Sequence, residues 1–269
     1  MECIGLIAGN GTYPFAIVEG ARKAGVPRVI VAGFEGETDP AIAACADAFV
    51  SLRVGQLGKL AGFFRAHRVA HAIMAGQIAP KNLFDLRPDM RTLLMLAKLK
   101  ERNAESIFGG IANELAKDGI ELLPATTFLE DQLPAAGPVC GPKLDRRQWD
   151  DAVFAFRLAK DTSRLDIGQS VVVRHGTVLA VEAFEGTNAC ITRGGAMGRG
   201  QALLAKVSKP NQDFRFDVPV IGPLTVESCA EAGVKAIVIE AGRTLVLDPD
   251  RVAELCMASG IGVHALAEG

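Results

Sequence analysis

The sequence predicts an α/β protein in two parts: a parallel-sheet domain over residues 1–134 and a mixed α/β, α+β-like domain over 145–269, joined by a linker at 135–144. Three observations carry this. Short β-branched or apolar runs alternate with helical patterns as far as residue 125, which predicts crossover helices over a parallel sheet. Residues 133–144 read Leu-Pro-Ala-Ala-Gly-Pro-Val-Cys-Gly-Pro-Lys-Leu, whose prolines and glycines suit a connector. Beyond it strand content rises and adjacent strands replace the alternation.

Residues 3–8, 28–32, 48–52 and 70–75 are the predicted strands of the first part, with helical spacing over 14–24 and 57–67. Pro14 suits a first helical turn, where its missing amide would have no intrahelical partner anyway. Gly25 and Gly119 stand where helix C-caps are expected, and a helix over 104–118 precedes an apolar run at 120–123. In the second part, 146–162 reads as an amphipathic helix, with Trp149, Val153, Phe156 and Ala159 or Lys160 recurring at helical spacing. Residues 170–174 and 177–184 flank His175-Gly176, a two-residue turn that predicts a hairpin. Residues 236–240 and 244–247 predict a second pair around Ala241-Gly242-Arg243.

A chain of 269 residues with 49% hydrophobic content can bury a substantial core. Its net charge of -2 and pI near 6.1 supply no global basic field, so nucleic acid is not an expected partner and any anion must be held locally. The six cysteines form no Cys-x-x-Cys pair, which argues against zinc clusters and thioredoxin-like chemistry and reads as small core residues in a reducing compartment. Glu2 replaces the basic region of a signal peptide, and charges interrupt every long apolar run, so a cytoplasmic location is expected.

The polar segment 206–222 stands out from an Ala, Val and Leu-rich background. Pro210 and Pro219 each remove a backbone donor, and the charges follow neither helical nor strand period, so an ordered loop is expected. Lys206, Lys209 and Arg215 suit phosphate oxygens, and Asp217, just before Val218-Pro219-Val220-Ile221, suits a divalent cation at a core edge. The alternative is a solvated loop. Gly9, Asn10, Gly11 and Thr12 run from a strand into a helix opening near Pro14, as in a phosphate-binding turn, but Pro14 stands where a dinucleotide fingerprint wants a third glycine. Glu182, between valine and alanine in a strand, needs a cation, donors or a partner such as Arg164 or Arg193. Residues 193–200 carry four glycines and two arginines, readable as a flap over a diphosphate or as a flexible surface loop. His67 and His71 have helical ligand spacing without the companion glutamate, His175 belongs to its turn, and His264 is expected at a surface. Residues 90–99 read as core packing, with an acyl groove or membrane surface as the alternatives.

Four quoted stretches carry a resemblance: Gly5-Leu6-Ile7-Ala8-Gly9-Asn10-Gly11; Arg164-Leu165-Asp166-Ile167-Gly168-Gln169; Val181-Glu182-Ala183 with Glu185-Gly186-Thr187; and Lys209-Pro210 with residues 213–222. In that order, over nearly the whole chain, they resemble the UDP-2,3-diacylglucosamine pyrophosphatases of the LpxI type. The resemblance implies a Rossmann-like N-terminal domain, a C-terminal α/β domain, and magnesium-dependent hydrolysis of UDP-2,3-diacylglucosamine to UMP and 2,3-diacylglucosamine 1-phosphate in lipid A biosynthesis. It implies that Asp217 is functional. The chemistry of the residues themselves adds the expectations that Lys209 and Lys206 act with it as catalytic residues and that Asp217 and Glu182 are metal ligands. The substrate-binding expectation comprises Gly9, Asn10, Gly11, Thr12, Gln77, Asp166, Gln169, Glu185, Gly186, Thr187 and Arg215. The expected partner is a lipid-linked nucleotide sugar, with peripheral contact at the inner membrane face and a homodimer as further expectations. One departure is Arg102-Asn103-Ala104-Glu105, where many relatives carry Gly-Asp-Asp. A non-catalytic nucleotide-sugar binding module and a nicotinamide-dependent reductase are the competing functions.

Overall fold

The computed structural model describes residues 1–78, 88–101 and 103–268. It divides into one unit of Met1–Leu129 with Asp213–Asp217 and a second of Glu130–Gln212 with Val218–Gly269. In the first unit β1 (Ile4–Ala8), β2 (Val29–Phe34), β3 (Ala48–Leu52), β4 (His71–Ala75) and β5 (Glu121–Leu122) form one sheet in the order β3-β2-β1-β4-β5. Every pairing is parallel. β1 is buried along its whole length, which is why it reads as an unbroken apolar run rather than an alternating one. Helices α1 (Tyr13–Lys23), α2 (Leu57–Ala66), α3 (Met90–Lys98) and α4 (Ala104–Ala116) belong to the same unit. The strand order reverses at β1, with β2 on one side and β4 on the other. In open α/β sheets such a reversal opens a crevice at the carboxyl ends of the two strands.

The second unit holds a mixed sheet in the order β6-β13-β11-β9-β7-β8, formed by β6 (Gly137–Cys140), β7 (Ser170–Arg174), β8 (Thr177–Val181), β9 (Ala202–Lys206), β11 (Val234–Glu240) and β13 (Gly262–Leu266). β9, β11 and β13 are mutually parallel, while β6, and β7 with β8, add antiparallel edges. Strand alternation divides the core into two layers. Val171, Val173, Leu203, Ala205 and Val238 pack on Ala152, Ala155, Phe156 and Ala159 of α5 (Arg146–Arg164). Val172, Leu204, Ile237 and Ile239 face the other way, toward Ile191 of α6 (Thr187–Gly198), Val226 of α7 (Pro223–Ala232) and Val252 of α8 (Pro249–Ser259). β10 (Val220–Ile221) and β12 (Leu245–Val246) form a separate parallel pair.

Several expectations are corrected. The proline-rich stretch at 135–144 contains a strand, since Gly137–Cys140 pairs with β13. Residues 236–240 and 244–247 do not pair with each other: the amides of Arg243 and Thr244 turn back on the Glu240 carbonyl, and β12 is delivered to β10 instead. The glycines of 193–200 are not a flap, because most of them lie inside α6, where a Cβ would stand 2.5 Å from Val172 Cβ at Gly194, 2.4 Å from the Ala232 carbonyl oxygen at Gly195 and 2.5 Å from Ala202 Cβ at Gly198. They let the helix sit directly on the sheet and on α7. On α5 the expected stripe holds at Phe156, Ala159 and Lys160, which are buried with Asp151, Ala152 and Ala155, but Trp149 and Val153 are exposed. Cys45 is exposed, unlike buried Cys3, Cys190, Cys229 and Cys256.

His264 is buried in β13 rather than exposed, with its ring edge-on to Trp149 at 5.9 Å and Nε2 without a hydrogen-bond partner among the described residues. Burial pushes its pKa below the ordinary 6.5. The unfolded chain therefore takes up a proton below about pH 6.5 that the folded chain resists, so this site's stability is complete above that value and declines as pH falls beneath it. Thermal unfolding of wild type and His264→Leu between about pH 7.5 and pH 5 is expected to show a flatter acid limb in the variant. Parallel curves would mean that His264 does not contribute to the decline.

Candidate functional site

In the first unit the crevice of the strand reversal lies just where the glycine turn follows β1. Gly9 donates its amide to the Ala75 carbonyl at 2.8 Å, and past the strand ends Asn10 and Gln77 exchange main-chain bonds of 2.7 and 3.2 Å. Gly11, at φ +91°, then turns the chain into α1, whose N-cap Thr12 makes no side-chain cap. Tyr13 fixes the first helical turn by donating to the Ala125 carbonyl at 2.6 Å. Gly9 and Asn10 thus commit their amides to β4 and Gln77, which leaves the amides beginning at Gly11 as the part of this turn able to meet a phosphate. Beside it opens an apolar cavity, with Gly9, Met74 and Gly76 at the strand ends and Met95, Phe108 and Ile111 from the helices. α3 divides its apolar residues: Met95 is buried and Leu96 lines the cavity, whereas Met90, Leu93 and Leu94 are exposed. The core-packing expectation for 90–99 therefore holds for one side of the helix alone.

Phe216, a further wall of that cavity, comes from the polar segment. The chain leaves the second unit after Gln212, contributes Asp213–Asp217 to the first and returns at Val218. This short strap is tightly made. The Asp213 carbonyl accepts the amides of Phe216 and Asp217 at 3.2 and 3.0 Å, Phe214 accepts from the Ala125 amide at 2.7 Å, and the Phe216 ring sits 5.5 Å from Phe108. Arg215 forks onto the Asp213 carboxylate at 2.9 and 2.6 Å, which holds that carboxyl below the usual carboxylate range. Arg215 is therefore occupied in fixing the strap, and Asp217 ends it.

The second unit gathers its predicted residues at one end of the mixed sheet, the end where β8, β9 and β11 finish and β7 begins. Lys206 ends β9 opposite Ser170, and Gln169, just before it, accepts the Val207 amide at 3.0 Å. Glu182 follows β8. Its Oε1 accepts from Thr187 Oγ1 at 2.8 Å, and Lys206 Nζ donates to the same hydroxyl at 3.3 Å. Glu182 Oε2 is buried with no hydrogen-bond partner among the described residues. Asp166, held at φ +55°, forms an ion pair with Lys209. Gly186, at φ +84°, is the N-cap that starts α6 at Thr187. Neither arginine expected to neutralise Glu182 does so: Arg164 pairs with Asp161, and Arg193 pairs with Glu185 at 2.5 Å. Glu185 is thus a brace for α6 rather than a neighbour of Glu182.

The motifs separated by tens of residues in sequence do meet: Asp166 reaches Lys209, and Glu182 reaches Lys206 through Thr187. His67 packs edge-on to Phe63, and His71 faces Glu121 at 3.8 Å, so each has a structural neighbour. Arg102, part of the departure noted above, lies outside the described residues. Sequence reading missed a cluster at the same sheet end, buried Lys160, Ser208 and Glu240 with the partly exposed Arg243. One signal for it existed: Glu240 closes the apolar run Ala236-Ile237-Val238-Ile239, where a carboxylate needs donors.

Comparison with known proteins agrees with this two-part organisation. Residues 3–132 match the LpxI N-terminal domain and residues 135–264 match the LpxI C-terminal domain. The chain is also 32% identical, over 277 aligned positions covering 99% of it and 97% of the relative, to the UDP-2,3-diacylglucosamine pyrophosphatase LpxI of Caulobacter vibrioides.

Proposed function

Since the chain belongs to the LpxI family, we propose that it is a phosphoanhydride hydrolase that splits UDP-2,3-diacylglucosamine into UMP and 2,3-diacylglucosamine 1-phosphate. The observation that carries this reading is the sheet end of the second unit, where Lys206 and Lys209 stand among carboxylates in a chain without a basic field of its own. Two lysines there supply the local positive charge that a diphosphate requires, and ammonium groups bind phosphate oxygens as point charges. Lys209 begins paired to Asp166, so an entering phosphate competes for it with a carboxylate and the exchange keeps the lysine oriented.

Magnesium suits the residues present. The ion favours hard oxygen ligands and is commonly held by one or two carboxylates together with substrate phosphates. Among the described residues no group of three His, Cys, Asp or Glu side chains is arranged to hold a metal by itself. Glu182 of the second unit, whose Oε2 is buried without a hydrogen-bond partner among the described residues, is a carboxylate that would hold it. When bound, the ion would offset diphosphate charge during displacement at phosphorus. Thr187 keeps Glu182 Oε1 occupied and so directs the other oxygen outward from that bond. The apolar lining of the first unit's cavity, with Met95, Phe108 and Phe216 in its wall, suits an acyl chain.

Incubation with UDP-2,3-diacylglucosamine in magnesium or in EDTA, followed by mass spectrometry, tests the reading. UMP and the sugar 1-phosphate are expected with magnesium, and a loss of at least about 10²-fold in rate with EDTA. Tight substrate binding without products would establish a binding module instead, and products at an equal rate in EDTA would remove the metal.

A further inference from the structure

We infer that Glu240 is a positioning residue that clamps the chain between Lys206 and Lys209, an inference that rests on the hydrolase reading for its effect on turnover. Every polar group of Ser208 is held. Glu240 Oε2 accepts both the Ser208 amide and its hydroxyl at 2.7 Å, Lys160 Nζ donates to the Ser208 carbonyl at 3.1 Å, and Arg243 Nε donates to the Ser208 hydroxyl oxygen at 2.6 Å. Lys160 Nζ also donates to Glu240 Oε1 at 3.0 Å, which joins α5 to the end of β11. Ser208 is 0% exposed, Glu240 2% and Lys160 3%, so the clamp is shielded from solvent.

A buried ion pair of this kind is an expensive way to gain stability, since apolar residues of equal volume commonly do as well. Its distinctive property is geometric. Hydrogen bonds to all three groups of one residue leave its main chain a single position and orientation, which packing of an apolar side chain does not achieve. Ser208 is two residues after Lys206 and one before Lys209, so fixing it fixes the stems of both lysines. The clamp also extends the site: Arg243, whose side chain is partly exposed, is oriented through Ser208 and at 3.4 Å by Glu240, which brings a third cation to the same sheet end.

Glu240→Gln and Ser208→Ala test this. A glutamine at 240 cannot accept from both sides, because whichever way its amide is turned, its NH2 meets either Lys160 or the Ser208 donors. In Glu240→Gln the amides of residues 207–209 are expected to exchange with solvent about tenfold faster while those of β13 keep their protection. The kcat is expected to fall by at least about tenfold with KM within about threefold, at a temperature where the variant is fully folded. Ser208→Ala, a small change that leaves the Lys160 and Glu240 pair intact, is expected to lower kcat in the same pattern, and it decides the matter alone should Glu240→Gln not fold. Unchanged exchange at 207–209 overturns the clamp whatever the turnover, and faster exchange with full kcat overturns the positioning role. Wild-type protein that forms no products defeats the hydrolase reading, while the exchange measurement still decides the clamp.

Discussion

Replacing Asp217 with alanine is expected to lower kcat/KM for UDP-2,3-diacylglucosamine by on the order of 10²–10³-fold, the usual loss when one group that stabilises transition-state charge is deleted. The protein should remain folded. Asp217 is partly exposed, and the strap that carries it is held by main-chain bonds to the Asp213 carbonyl and by Phe216 against Phe108, which the substitution leaves in place. A change at such a position is expected to alter stability by less than about 1 kcal/mol. Asp217→Asn separates charge from shape: if the carboxylate acts through its charge on a metal or on phosphorus, the isosteric amide fails nearly as badly as alanine. Steady-state kinetics over a magnesium series, with thermal unfolding of the same samples, checks both parts. An alanine variant within about threefold of wild type would move the chemistry away from the strap altogether.

The strap also illustrates what was legible in the sequence and what was not. Pro210 and Pro219 mark residues 206–222 as an ordered loop, and the structure contains no helix or strand from Val207 to Pro219. What the sequence does not disclose is allegiance: five residues of that loop belong to the first unit, because Phe216 finds its apolar partners there. β1 to β4 and the β7–β8 hairpin were readable because each is coded by its own residues and turn. The second pair, 236–240 with 244–247, was misread because its outcome depends on Glu240, whose donors lie 32 and 80 residues away at Ser208 and Lys160. The glycines of α6 were misread for a related reason. Composition suggests flexibility, yet each glycine there answers to a neighbour, Val172, Ala232 or Ala202, that only the fold brings close. Asp166 and Lys209 were each legible as functional candidates, but their pairing across 43 residues is a product of β7 and β9 lying side by side.

Gly9→Ala is expected to be the most damaging single methyl group that can be added to the first unit's site. A Cβ at Gly9 would stand 2.6 Å from the Gln77 carbonyl oxygen, 2.7 Å from the Gly76 carbonyl carbon and 2.9 Å from the Gln77 nitrogen. All of these are backbone atoms, so no side chain can swing aside. The contact is reciprocal, since a Cβ at Gly76 would stand 2.6 Å from the Asn10 carbonyl oxygen. Two main chains thus cross at the strand reversal through a pair of glycines, and a methyl group must push the ends of β1 and β4 apart. That strains or breaks the Asn10–Gln77 bonds of 2.7 and 3.2 Å. Overpacking of about 1–3 kcal/mol, with about 1 kcal/mol for a weakened hydrogen bond, predicts a loss of roughly 2–4 kcal/mol and a fall in unfolding temperature of roughly 10 °C. The same displacement distorts both the turn from Gly11 into α1 and the wall that Gly9 gives the apolar cavity, so surviving protein should show a raised KM for the diacylated substrate. Gly62 in α2 supplies the opposite case, because a Cβ there meets nothing within 4 Å. Gly62→Ala is expected to stabilise by about 0.5–1 kcal/mol, the ordinary gain of alanine over glycine inside a helix. Measured side by side by thermal unfolding, the two substitutions should move in opposite directions. A Gly9→Ala protein as stable as wild type would show that the main chains do not cross so closely at the reversal, and the cavity wall would then have to be redrawn.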